Sequence, residues 1–451
     1  MIGIIMFFAS LVMLLYGFPV AFTFAAVSLF FGIISGIVEV GFEDGFVTGL
    51  LEGVQEGFDM FDFMPFRIMS IMQNTILMSI PMFIFMGIIL QKTGLAEKLL
   101  ESMAFLFGEV RGGVAISTVL VGTLLAASTG VVGASVVAMG VISLPVMMKY
   151  KYNIPLATGT ICASGTLGQI IPPSIVLIIL GDVFQVPVGD LFQAAIWPGL
   201  LLVAAYILFI LVVSYIKKDF APAIPKDPAR GTKTKQVITA LLAIIPSLTL
   251  IVLVLGSIFA GVATPTESSA VGCIGAILLA ILYRTFTITM VKEAALESVK
   301  VTSMVFGILI GATAFSMVFT YTGGDEIVEH FMMNLPGDEK IAFILFTMLA
   351  IFVLGFFIDF VEISYIIVPI LVPIAMNLDI NPVWFAILIA MNLQTSFLTP
   401  PFGFSLFYLK GVAPASVRTT EIYKGVLPFI LIQVAVLLLL VFYPELFGLV
   451  H

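Results

Sequence analysis

Two proline pairs constrain this chain more than any other feature. Pro172-Pro173 and Pro400-Pro401 close two long apolar stretches, GTLGQIIPPS (Gly165 to Ser174) and LQTSFLTPPFG (Leu393 to Gly403). Proline has no backbone N–H, and its ring clashes with the preceding turn, so a pair of prolines breaks a helix. Hydrocarbon cannot satisfy the carbonyls that such a break frees. A break therefore survives in a membrane only inside protein or beside a cavity. Matching breaks in the two halves of an apolar chain predict a secondary transporter with its ion and substrate site at the midplane.

The composition places the chain in a bilayer. Of 451 residues, 61% are hydrophobic and 10% are charged, against about 45–50% and about 25% in a soluble domain. The two histidines, His330 and His451, and the two cysteines, Cys162 and Cys273, supply neither a disulfide framework nor a transition-metal site. A Ser-His-Asp enzyme is excluded on the same ground. No cofactor and no nucleic-acid partner are expected; the bilayer itself is the first partner. The opening MIGIIMFFASLVMLLYG has no basic n-region and no A-x-A site, so it reads as a retained first helix.

A spanning helix needs about 20 apolar residues. Candidates are 2–17, 18–37, 76–93, 153–184 (broken at the prolines), 190–216, 237–259, 264–284, 302–322, 383–410 (broken again) and 424–447. The stretches 112–149 and 341–377 are each about 55 Å long as one helix, nearly twice the hydrocarbon core. Each is interrupted near its middle, by Ser128-Thr129-Gly130 and by Gly355 to Asp359. Both read as re-entrant hairpins that return on the side they entered. With both termini periplasmic, all basic residues except Arg67 and Lys340 fall in cytoplasmic loops, which is 17 of the 19. The positive-inside rule asks for this bias, and reading either hairpin as one full span spoils it. Segments 43–75, 95–108 and 286–300 mix charge with Met, Phe and Leu and read as surface-lying amphipathic helices.

The chain also repeats itself. Pro145 and Pro373 are 228 residues apart, as are the members of the two proline pairs, and Pro155 and Pro382 are 227 apart. Five crossings per half make the halves inverted. The predicted fold is an all-α integral membrane protein of two inverted repeats, 1–216 and 237–451, joined by a cytoplasmic linker, 217–236. Each repeat holds a hairpin (112–149; 341–377) and a broken helix (153–184; 383–410). This arrangement underlies alternating access in transporters.

The chemistry expected at the breaks is that of a hard monovalent cation. Sodium needs several oxygens, and unwound backbone supplies carbonyls without buried carboxylates, aided by the negative ends of helices. In the first half, the tip from Ala126 through Ser128, Thr129 and Gly130 faces Gly168, Ile171 and Pro173. In the second, Gly355 faces Ser396, Thr399 and Phe402. The competing reading is that these small residues only let helices pack. Asp359 and Glu362 follow the second tip, where an intramembrane carboxylate is a functional candidate by default. They bind a cation or proton, or anchor the hairpin through backbone donors, or the tip simply sits in water near the surface. No lysine or arginine falls in a predicted midplane segment. An anionic substrate is then held by hairpin amides, helix N-termini, hydroxyls and the cations, with Thr129, Ser174, Asp359 and Glu362 as the candidate substrate residues.

GTLGQIIPPSIVLIILG, GVATPTESSAVG (Gly261 to Gly272) and FLTPPFGFSLFYLKGVAP resemble the large membrane subunit of tripartite ATP-independent periplasmic (TRAP) transporters, over almost the whole chain. The resemblance implies a sodium-driven elevator with a scaffold and a moving transport domain in the bacterial inner membrane. It also implies a small four-helix membrane subunit and a soluble periplasmic binding protein that delivers organic acids. The architecture is similar to that of the divalent-anion sodium symporters, and a stand-alone sodium–dicarboxylate symporter is the alternative. By the resemblance, one sodium site uses the first tip with Gly168, Ile171 and Pro173. The other uses Gly355, Ser396, Thr399 and Phe402. Many relatives carry SGS where this chain has Thr129-Gly130-Val131, and glycine where Ser396 stands. The stretch DFVEI (Asp359 to Ile363) looks like that of relatives associated with 2-oxo acids, hydroxy acids and other monocarboxylates.

Overall fold

The computed structural model describes residues 1–41, 45–129, 132–224 and 233–450, with backbone alone for 128–129 and 233–236. The described regular structure is helical throughout. In chain order the helices are α1 (Ile2–Leu15), α2 (Val20–Val40), α3 (Phe46–Asp59), α4 (Met64–Gln73), α5 (Ser79–Lys92), α6 (Leu95–Phe107) and α7 (Gly113–Thr129). Next come α8 (Val132–Lys149), α9 (Ile154–Thr166), α10 (Ile175–Phe184), α11 (Val188–Ile216), α12 (Lys233–Phe259), α13 (Pro265–Leu282) and α14 (Ile288–Tyr321). The last are α15 (Gly324–Met333), α16 (Glu339–Leu354), α17 (Phe360–Glu362), α18 (Val368–Asn377), α19 (Pro382–Leu398), α20 (Phe404–Val412) and α21 (Thr419–Phe442). Among the described residues, eight helical segments are long and apolar enough to cross a membrane. There are nine if α5 and α6, bent by 59°, form one broken span.

The chain divides into two compact units, each drawing on both halves of the sequence. One comprises Met1–Leu77 and Lys300–Pro382, the other Met78–Val299 and Val383–His451. In the first unit the core is aromatic. Phe24 meets Phe315 edge-on at 5.2 Å between centroids, and Phe315 stacks on Phe319 at 5.7 Å. Pairs of this kind add about 0.5–1.5 kcal/mol beyond their burial. The unit also holds α16, capped by Asp338 accepting from the Ile341 N–H at 3.0 Å. After a turn at 355–359 the chain resumes in α17, a π-helical turn (Ile363–Ile367) and α18. Asn377 donates to Glu329 at 3.0 Å, fastening α18 to α15.

The second unit is built around α9, which is buried from Leu156 to Thr166 and packs against α7, α8 and α21. Without water to squeeze out, membrane helices associate through close packing of small residues. Gly159 and Gly425 do this here. A Cβ on Gly159 would strike the Gly425 backbone, and one on Gly425 would strike the Pro155 carbonyl.

Three segments take definite form in the structure. The surface helix 286–300 and the span 302–322 form the single helix α14. No Gly or Pro interrupts residues 288–306, and the run VKEAALESVK is rich in helix formers. Two of its acids, Glu293 and Glu297, one turn apart, both pair with Lys92 of α5 at 3.1 Å. Helix α6 does not lie free. Its apolar face (Leu95, Leu99, Leu100 and Met103 among others) is buried, and the helix packs on α7 and α12. The linker, finally, is ordered at its start. Ile224 donates to the Gly108 carbonyl at 2.7 Å and Asn153 donates to that of Phe220 at 2.8 Å. Its residues 225–232 lie outside the described ones, and Lys233 already belongs to α12.

Candidate functional site

The first proline pair ends α9 in stages. Pro172 and Pro173 have no N–H, so the carbonyls of Gly168 and Gln169 lose their donors four residues on. The helix tightens into a 3-10 turn, Leu167–Gln169, and stops. Ser174 then restarts the chain as the N-cap of α10, accepting from the Leu177 N–H at 3.5 Å and donating to the freed Gln169 carbonyl at 2.6 Å. Both proline–proline bonds of the chain are cis.

The hairpin meets this break. Helices α7 and α8 pack on each other, and both pack on α9 and on the 3-10 turn. At Gly168 the approach is close, and an added side chain would have to push Ala126 aside. A Cβ there would lie 3.0 Å from the Ala126 carbonyl oxygen and 3.2 Å from its Cα. Ala126, paired with Gly168 in the sequence reading, thus meets the break with its carbonyl oxygen, Cα and methyl group. Ile171 is half-buried, and Pro173 and Ser174 are buried. Ser128 and Thr129 end α7, their side chains outside the described ones, and Gly130 lies outside the described residues.

The second break follows the same rule with different partners. Pro400 and Pro401 deprive Ser396 and Phe397. The Thr399 N–H takes the Ser396 carbonyl at 3.1 Å, and the Ser405 hydroxyl takes that of Phe397 at 2.9 Å. The Ser396 hydroxyl donates to Leu393 at 2.8 Å and that of Thr399 to Thr395 at 2.7 Å. Each hydroxyl oxygen keeps lone-pair capacity. Phe402 is 46% exposed, so the turn is open. Gly355 belongs to the other compact unit from Ser396, Thr399 and Phe402.

The two acids after the second tip have separate roles in the first unit. The Asp359 carboxylate accepts from the Phe360 N–H at 2.6 Å and caps α17, the anchoring alternative read from the sequence. Glu362 is 3% exposed and its Oε2 has no hydrogen-bond partner. It opens onto the π-helical turn, a geometry that recurs at functional sites. Among the described residues no lysine, arginine or histidine is buried.

Sequence reasoning passed over Gln169, which is fully buried beside Gly168 with neither amide atom partnered. Gln394, in α19, is buried in the same way. The signal was present: each is an amide inside an apolar run shortly before a proline pair.

Two broken helices, one with a hairpin tip pressed against its break, define a membrane transporter. The profile of the family described as tripartite ATP-independent periplasmic transporter, DctM component, matches residues 5–446. The chain belongs to this family as a large membrane subunit, a transporter and not an enzyme. It is 32% identical over 371 residues to a C4-dicarboxylate TRAP transporter large permease protein of Pseudomonas aeruginosa, covering 82% of this chain and 84% of the relative. It is 31% identical to an isethionate TRAP transporter permease protein DctMQ of Oleidesulfovibrio alaskensis, covering 82% of this chain and 57% of that longer protein. Among solved structures, the YdaH transporter of Alcanivorax borkumensis shares the fold, with a TM-score of 0.61 at 12% identity over 87% of this chain and 89% of that one.

Proposed function

We propose that this chain carries sodium-coupled uptake of an organic acid, a carboxylate, across the bacterial inner membrane as the large permease of a binding-protein-dependent transporter. Membership of the TRAP family supports a multi-span inner-membrane protein working with a periplasmic binding protein and a small membrane subunit. The C4-dicarboxylate relative supports the carboxylate class. The longer relative, named DctMQ, supports a second membrane component.

The observation that carries the reading is the first break. The Gly168 carbonyl, which Pro172 deprives of its donor, belongs to the residue on which Ala126 of the hairpin closes, and no buried basic side chain competes with a cation among the described residues. In this reading Gly168, Ile171 and Pro173 hold one sodium with the tip residues Ser128, Thr129 and Gly130. Ser396, Thr399 and Phe402 hold another, and Thr129 and Ser174 face the substrate. The repeats 1–216 and 237–451 are inverted, both termini are periplasmic, and transport follows an elevator movement with no cofactor besides sodium.

The test is uptake into proteoliposomes of this chain with its small subunit and binding protein. Carboxylate uptake should require an inward sodium gradient and should vanish without either partner. Robust uptake by this chain alone makes it a stand-alone symporter. For topology, a cysteine at Gly411 should label from the cytoplasm alone and one at Asp338 from the periplasm alone.

A further inference from the structure

Gln169 occupies the last position of the 3-10 turn, between Gly168 and the proline pair. The turn packs against both hairpin arms, α7 and α8, and against α10. The side chain is fully buried, and both Oε1 and Nε2 lack a hydrogen-bond partner. The residue's own carbonyl, by contrast, is bonded to Ser174 at 2.6 Å. Hydroxyls nearby in sequence are also engaged: Ser164 donates to Ile161 at 3.0 Å and Thr166 to Ala163 at 2.9 Å.

Buried polar atoms in native proteins almost always have a partner, in the protein or in something bound. Leucine or methionine would fill this volume with no desolvation penalty. The amide is therefore retained against stability, and its location says for what. An amide oxygen is a hard, neutral donor of the kind that carbonyls at unwound helices already present to a cation.

We propose that Gln169 is a side-chain ligand of the cation at the first break, its Oε1 adding to the main-chain oxygens around Gly168. This rests on the sodium reading above and goes beyond it. The site is not purely backbone, and the chain exchanges stability of the empty site for ion affinity. Phe397 stands at the corresponding place in the second half, so the two breaks bind the cation with different ligand types.

The experiment titrates sodium chloride against choline chloride on the purified complex of the full chain with its small subunit. It reads the thermal midpoint, with uptake as a second readout. In Gln169→Leu the sodium half-saturation should rise about tenfold or more, while the midpoint without sodium stays equal or rises. Gln169→Glu, which keeps the Oε1 oxygen, replaces the amide nitrogen by a second oxygen and adds charge, should hold or tighten the half-saturation. An unchanged half-saturation in Gln169→Leu overturns the assignment and leaves sodium coupling intact. If the leucine variant fails to assemble, Gln169→Met decides by the same criterion. A wild-type complex that ignores sodium in both readouts overturns the cation reading and this assignment together.

Discussion

The two proline breaks begin from the same sequence device and end in different environments. Around the first, Gly165 to Leu180 is buried except for half-buried Ile171. Around the second, Thr399 and Pro400 are half-buried and Pro401 and Phe402 are exposed. In both, a serine hydroxyl takes over the carbonyl orphaned by the second proline. Ser174 serves Gln169 from five residues on, and Ser405 serves Phe397 from eight. The longer reach follows from the longer turn, which doubles back at Gly403. A Cβ there would lie 2.8 Å from the Phe397 carbonyl and 2.9 Å from that of Thr399. One break is sealed by neighbouring helices and the other is an open turn. A proline pair thus sets where a helix stops, and the surroundings set what the stop can bind.

Four measurements sharpen or break this contrast. The largest effect is expected at Gly168→Val. Its branched side chain would have to push Ala126 aside, and overpacking of this kind costs about 1–3 kcal/mol. Uptake should be lost and the thermal midpoint of the complex should fall; normal uptake would mean that the tip does not close on the break. Next comes Thr399→Val. It removes a candidate ligand and the 2.7 Å bond to Thr395, worth about 1–3 kcal/mol together. The sodium half-saturation should weaken about ten- to hundredfold, with maximal rate much less affected. Thr419→Val, at the start of α21, should do little in the same assay. An unchanged half-saturation in Thr399→Val shifts the second cation to Asp359.

The serines test sealing directly. Ser174→Ala leaves the Gln169 carbonyl orphaned inside a buried site and removes the cap of α10, so it should destabilise by about 1–2 kcal/mol. Ser405→Ala, beside the open turn where water can take over the Phe397 carbonyl, should lose less, about 0.5–1.5 kcal/mol. Equal losses in denaturation of the two variants would say that the breaks are equally sealed.

The sequence made some features legible because their cause is local. Helix ends fall close to the small-residue tips and the proline pairs, α7 stopping at Thr129, α16 at Leu354, and α9 and α19 ahead of the proline pairs, since a missing N–H or a small-residue turn acts within a few residues. The pairing of Ala126 with Gly168 was also readable, because two small residues in consecutive apolar segments invite close approach. Other features were not. The charged start of α14 resembled a surface helix until Lys92, some 200 residues away in the chain, was found to pair with Glu293 and Glu297. Asp359 and Glu362 looked equivalent, yet one caps a helix and the other is buried with a free oxygen.

That this is a helical membrane protein, where its two proline breaks fall, and which carbonyls the prolines leave without donors were all legible in the chain. Those outcomes follow from hydropathy and from backbone chemistry that no distant contact can change. Packing, by contrast, seals the first break and leaves the second open, brings Ser174 and Ser405 to repair them, and leaves Gln169 with both amide atoms unpaired. Burial and hydrogen-bond satisfaction depend on which remote segments pack around a residue, and that information lies in contacts between helices rather than in any one stretch of chain.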